Sequence, residues 1–252
     1  MSGRFAIYAA PGVRSADPVG ALLRQRAEQW LGRSVCPDPV TPGVPPGWTR
    51  AAVDEITVDA RRYGFHATLK APFRLADGRT PEELDAAVAR FAAGTPTAVI
   101  PRLTLARLGG FFALAPGTPA PGLHALADAA VRAFDHFRAP PTEAELARRR
   151  PASLTPRQRE LLGTWGYPYV LDEFQIHLTL TDRIPAERRP QVERALTDWF
   201  APSLGADVPI DAVAVFTEAE PGAPFALTAV HHLKPHPERP RPAEPTASEG
   251  AR

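Results

Sequence analysis

Two short runs place a histidine and a threonine two residues apart. His66-Ala67-Thr68-Leu69 lies in "YGFHATLK", residues 63–70, and His177-Leu178-Thr179-Leu180 lies in "FQIHLTLT", residues 174–181. They are two copies of one pattern, H-x-T-L, 111 residues apart. In a strand, residues i and i+2 share a face. Each copy therefore presents a histidine beside a hydroxyl, roughly 7 Å apart at the backbone. Phe65, Ala67, Leu69 and Ala71, and likewise Ile176, Leu178 and Leu180, turn to a core. If the two polar faces meet, a cleft lined by two histidines and two threonines results. Displacement at phosphorus suits such a cleft. It needs a base on one side and an acid on the other, because attack is in line. Histidine can be neutral in one copy and protonated in the other near neutral pH. Threonine hydroxyls can hydrogen-bond the oxygens where charge gathers. The scheme calls for no metal and no cofactor.

Other residues compete for roles. Lys70 continues the polar face beside Thr68, where its ammonium would hold a substrate phosphate or simply be solvated. Tyr63 is expected either to line the cleft or to pack, and Tyr8 to pack in the core. "ARRR" at 147–150 reads as a solvated helix end before a phosphate contact. His124 and His136 read as surface residues. "HHLKPH", residues 231–236, alternates faces and then enters a Pro-rich stretch, so it does not read as a metal site. Cys36, the single cysteine, excludes an internal disulfide and a cysteine-rich metal centre. The glycines of "LGG" and "PGAPF" serve turns and do not form a phosphate cradle.

The elements that would carry these residues follow from periodicity and breakers. "RFAIYAAP", residues 4–11, reads as a strand and "DPVGALLRQRAEQWLGRS" as a helix. A loop dense in Pro and Gly covers residues 36–48, followed by a short helix around Thr49–Ile56 and the first H-x-T-L strand. "DGRTPEELDAAVARFAAG" opens with a cap, a proline and two glutamates, which is a helix start. "PRLTLARLGGFFALAP" reads as a hairpin turning at Gly109-Gly110. A long helix over 121–137 and two shorter ones lead to the second H-x-T-L strand at about 172–182. A further helix and a hairpin closed at Glu220-Pro221-Gly222 complete the order. Strand, helix and hairpin thus occur twice, over about residues 63–115 and 172–233, which predicts an α+β chain of two pseudo-symmetric lobes within residues 1–233. The Pro-rich segment 234–252 is expected to be disordered.

The bulk composition is permissive. The chain has 252 residues, 44% of them apolar and 23% charged, with a net charge of +1. That balance gives no reason to expect DNA or a long nucleic acid as partner. With no apolar run of membrane-spanning length and no secretory leader at the start, a cytoplasmic protein that engages no membrane is expected.

Paired H-x-T motifs in a duplicated α+β chain resemble the 2H phosphoesterase superfamily, which includes 2'-5' RNA ligase-like proteins and cyclic phosphodiesterases. "RRYGFHATLKAPFRL" and "WGYPYVLDEFQIHLTLTDRI" are more similar to one uncharacterised bacterial branch, DUF1045-like, associated with phosphonate metabolism. The resemblance spans about residues 4–233. It implies a bilobed fold, an antiparallel sheet in each lobe and catalytic positions at His66, Thr68, His177 and Thr179. The activity implied is that of a phosphodiesterase, a hydrolase acting on a small phosphodiester, with cyclic ones foremost; Lys70 and Tyr63, by their place in the sequence, are the substrate-binding candidates. An RNA-end enzyme (2',3'-cyclic phosphodiesterase or 2'-5' ligase-like) and a non-catalytic phosphate-binding module are the alternatives.

Overall fold

The computed structural model describes residues 3–235 apart from Asp38 and Arg150. Most of the expected tail, from His236 on, therefore lies outside the described residues. Its first residues do not: Lys234 bridges Pro96 and donates its N–H to the Thr95 carbonyl at 2.8 Å.

The strands are β1 (Arg4–Ala9), β2 (Ala67–Phe73), β3 (Ala98–Ile100), β4 (Thr104–Leu108), β5 (Phe111–Ala115), β6 (Leu178–Thr179), β7 (Val208–Ile210), β8 (Ala212–Glu218) and β9 (Ala226–His232). The helices are α1 (Pro18–Leu31), α2 (Arg50–Glu55), α3 (Val58–Tyr63), α4 (Pro81–Gly94), α5 (Pro121–Phe134), α6 (Glu143–Arg148), α7 (Pro156–Trp165) and α8 (Arg189–Phe200). Local chemistry sets several boundaries. Thr80 and Glu83 close a reciprocal capping box at the start of α4, and Thr155 with Gln158 does the same for α7. Asp17 accepts the Gly20 N–H at the start of α1, which ends at Gly32 in the left-handed conformation (φ 64°). Among the described residues no helix is long and apolar enough to cross a membrane.

Seven strands form one antiparallel sheet in the order β4-β5-β6-β2-β1-β8-β9, and β3 pairs with β7 apart from it. The α+β class expected from the sequence is what is observed. The two H-x-T segments are neighbours at the centre of this sheet, joined through the buried pair Ala67↔Leu178. The hairpin that follows the first motif, β4–β5, pairs with the strand of the second motif. The hairpin that follows the second, β8–β9, pairs with β1 on the side of the first. Each repeat therefore completes the sheet around the other repeat's histidine.

Alternation sorts the side chains into two layers. Ile7 and Ala9 of β1, with Val213 and Val215 of β8, join the main core, where α4 and α5 cover the sheet and α1 packs in with α8 and β7. Ala6, Tyr8, Ala214 and Phe216 point the other way into a smaller cluster with Phe225. The histidines stand on that second face.

The second motif strand is much shorter than the expected span. Leu171–Glu173 forms a 3₁₀ turn, with Leu171 at φ +53°. After Thr179 the ladder closes off: the N–H groups of Leu180 and Thr181 share the Phe112 carbonyl, and the Asp182 N–H turns to Ile56. Two residues of ladder are enough to place His177 and Thr179, because Phe112 and Ala67 flank them from both sides.

Candidate active site

His66 and His177 are anchored in the same way. The Nδ1–H of His66 donates to the Gly64 carbonyl at 2.9 Å, and that of His177 to the Gln175 carbonyl at 2.7 Å. A carbonyl can only accept, so Nδ1 carries the proton in each ring and Nε2 is left with its lone pair. Gly64 makes the first anchor possible. It caps α3 with φ 75°, a conformation glycine adopts without strain. A Cβ there would also fall 2.2 Å from Val35 Cγ1.

Extending the Ala67↔Leu178 register by one residue each way sets His66 opposite Thr179 and Thr68 opposite His177. Each histidine thus faces the other motif's threonine. The two histidines sit on a diagonal of the antiparallel pair, about 7–8 Å apart at the backbone. All four residues line one cleft of about 410 Å³. Within the first motif, Thr68 Oγ1 lies 3.3 Å from His66 Nε2.

The surroundings favour neutral imidazoles. The His66 ring stacks on Tyr8, with centroids 3.7 Å apart and planes 19° from parallel, and Tyr8 is 1% exposed. Burial pushes the His66 pKa down to about 4 against the opposing Gly64 hydrogen bond, and His177 and Arg24 push it further down. Burial also lowers His177, with the Gln175 hydrogen bond opposing it. Phe111 lies tilted 5.7 Å from the His177 ring.

Tyr63 lines the cleft, stacked on Phe225 at 5.1 Å and covered by the Arg62 guanidinium at 4.6 Å. Tyr8, expected as packing, does pack and also forms the wall behind His66. Lys70 is a correction. It is 3% exposed and outside the cleft, with Nζ 2.9 Å from Asp135 Oδ1 and 3.3 Å from the Val131 carbonyl. Strand alternation alone places it on Thr68's face. The pairing of β1 with β2 shifts between Tyr8↔Thr68 and Ile7↔Lys70, so Leu69 is an extra residue and the parity changes there. Ala71 and Pro72 take the places on the cleft wall.

Several cleft residues had no clear signal in the sequence. Arg4 belongs to the cleft and is held by the buried Glu218, which also receives Arg62. Arg149, in the run read as a solvated helix end, reaches the cleft with its guanidinium 4.7 Å over the Tyr167 ring. Arg183 lies at the Gly109–Gly110 turn and donates to the Gly109 carbonyl at 2.6 Å. Thr181 is 1% exposed and accepts the Phe112 N–H at 3.0 Å, fixing β5 to the second motif. Among the described residues no three His, Cys, Asp or Glu side chains come together to hold a metal ion, and His231 instead pairs with Asp85 at 2.7 Å.

Comparison with known proteins decides the family. The model of a family described as "Protein of unknown function (DUF1045)" matches residues 68–226. The chain belongs to the DUF1045 family. Two curated relatives are both named "Ribose 1,5-bisphosphate phosphokinase PhnN". One, from Janthinobacterium sp. (strain Marseille), is 41% identical over 80% of this chain and 46% of its own length. The other, from Laribacter hongkongensis (strain HLHK9), is 35% identical over 89% of this chain and 50% of its own. The chain thus spans about half the length of these relatives. Solved structures with a similar trace include E. coli LigT complexed with NADP+ (12% identity, TM-score 0.44, 92% of this chain and 99% of that one). Another is a crystal structure described as a phosphoesterase (12%, 0.42, 92% and 99%). Likeness at that level carries no weight for the chemistry.

Proposed function

We propose that this DUF1045 chain is a phosphoesterase that cleaves a small phosphodiester, a cyclic one in the simplest case, by acid–base catalysis between His66 and His177. One observation carries the reading: two imidazoles, each fixed by Nδ1–H to a carbonyl two residues back, line one cleft from neighbouring strands. Two imidazoles in one cleft, one neutral as base and the other protonated as acid, are what in-line displacement needs.

His66, enclosed against Tyr8 and the more firmly neutral, takes the proton of the attacking water. The water oxygen bonds to phosphorus as the ester P–O bond opposite it breaks. His177, protonated when the anionic substrate is bound, passes its Nε2 proton to the leaving oxygen. A diester and water become a monoester and an alcohol, or a ring-opened monoester from a cyclic substrate. Thr68 and Thr179 donate to the non-bridging oxygens, which gather charge in the transition state. Tyr63 and Tyr8 wall the site. The step invokes no metal ion.

The relatives' name concerns a ribose bisphosphate, and the resembled branch is linked to phosphonate metabolism, so phosphorylated sugars belong among the first substrates. The test is turnover on a panel of cyclic sugar phosphates, nucleoside 2',3'-cyclic phosphates and matched monoesters. Diester turnover that falls about 10²–10⁴-fold in each of His66→Ala and His177→Ala supports the reading. Wild-type turnover in either variant removes it, and saturable binding of a diester without turnover would make the cleft a binding module.

A further inference from the structure

We propose that Arg149 and Arg183 form an anion subsite in the cleft, which receives a second negatively charged group of the substrate, a phosphate monoester or a carboxylate, beside the reacting diester. The proposal rests on the phosphoesterase reading for its meaning, although the subsite can be tested without turnover.

A single diester group carries one negative charge, which a protonated histidine and two hydroxyls already meet. The cleft nevertheless holds three arginines. Arg4 is neutralised by Glu218, through its Nη2 at 2.8 Å and through Nε. The two carboxylates of the lining are also committed. Asp182 accepts the backbone N–H groups of Asp59 and Ala60, and Asp59 lies 3.5 Å from Arg62. Arg149 and Arg183 differ from these groups. Among the described residues neither has a carboxylate within 4.0 Å.

Each is nonetheless positioned. The Arg149 guanidinium rests on the Tyr167 ring, which directs it by cation–π attraction and leaves its N–H donors for a ligand. Arg183 spends one donor on the Gly109 carbonyl, at the turn where Gly109 and Gly110 both have positive φ. Guanidinium suits bidentate capture of a phosphate or carboxylate. Tyr167 and Arg183 also line the neighbouring chamber of about 320 Å³, which opens from the same wall at His177 and Phe111. The subsite therefore lies beside the histidines without replacing them, and a substrate must reach from one to the other. Chemically, that is a phosphodiester bearing a second anionic group, and the second group serves as a handle.

Inorganic phosphate is the probe. Calorimetric titration is done on the full chain carrying His66→Ala and His177→Ala together, so that the histidines contribute nothing. Saturable phosphate binding is expected there, weakened at least about tenfold by Arg149→Gln or Arg183→Gln, with Lys at either position retaining most of it. Because both arginines reach solvent and make no ion pair within the described residues, the Gln variants are expected to fold, and circular dichroism melts check this. Equal binding in folded Gln variants, or binding already absent in the double histidine variant, would overturn the subsite. Either result leaves the turnover test of the two histidines untouched, so the two ideas fail separately.

Discussion

His66 is kept neutral by enclosure, and that carries a stability consequence. Its pKa is about 4 in the folded chain, below the ordinary 6.5. Below 6.5 the unfolded chain binds the proton first, so the stability contributed by this residue is present above pH 6.5 and is lost as pH falls through 4. The melting temperature is expected to drop over that window, and His66→Asn, which cannot titrate, should show a shallower slope there. An unchanged slope would mean that the ring is not shielded. In turnover, His66→Ala and His177→Ala should each cost about 10²–10⁴-fold, and the double variant less than the product, since the two rings act as a unit. Lys70 makes the opposite prediction. Its ammonium is tied to Asp135 in the core, so Lys70→Met should lower the melting temperature with little effect on kcat. A selective loss of kcat with normal stability would return Lys70 to the site. The H-x-T pairs were legible because period-two alternation holds over three residues. Lys70 was misplaced because a bulge at Leu69 leaves no mark in sequence.

Periodicity missed α3 as well as β3 and β7, and α3 delivers Tyr63 and the Gly64 carbonyl to the site. It spans only six residues and its N-cap, Thr57, spends its hydroxyl on the Val53 carbonyl. The cap comes instead from Asp182, five residues past His177, whose carboxylate takes the N–H groups of Asp59 at 3.1 Å and Ala60 at 3.0 Å. This tie links the second motif to the segment that presents His66. Asp182→Ala should cost about 1 kcal/mol of stability, the usual scale for a lost cap, and should lower kcat more than it changes KM. Asp182→Asn, still an acceptor, should recover part of both. Loss of stability without any change in kcat would show that the tie is purely structural. The hairpins and capped helices were readable from turn and cap chemistry. A cap supplied from 123 residues away was not, because its partner becomes visible only once the chain is folded.

At the scale of the whole molecule, duplication was legible and its consequence was not. Two copies of strand, helix and hairpin suggested two lobes, each completing itself. In the folded chain each hairpin pairs on the far side, so the copies share one sheet and meet at Ala67↔Leu178. That seam brings the two H-x-T strands into one cleft, with the histidines on a diagonal of the pair. The acid–base claim is tested most directly by the pH dependence of kcat/KM on a cyclic diester, measured with excess chelator. The base must be neutral, so the rate falls below the lower apparent pKa, and the acid must be protonated, so it falls above the higher one. Both imidazoles are lowered from 6.5, so a bell with its maximum on the acid side of 6.5 is expected, unchanged by chelator, with limbs that belong to the coupled pair. Activity abolished by chelator and restored by a divalent ion, or a rate that climbs steadily with pH through 8, would contradict the two-histidine account.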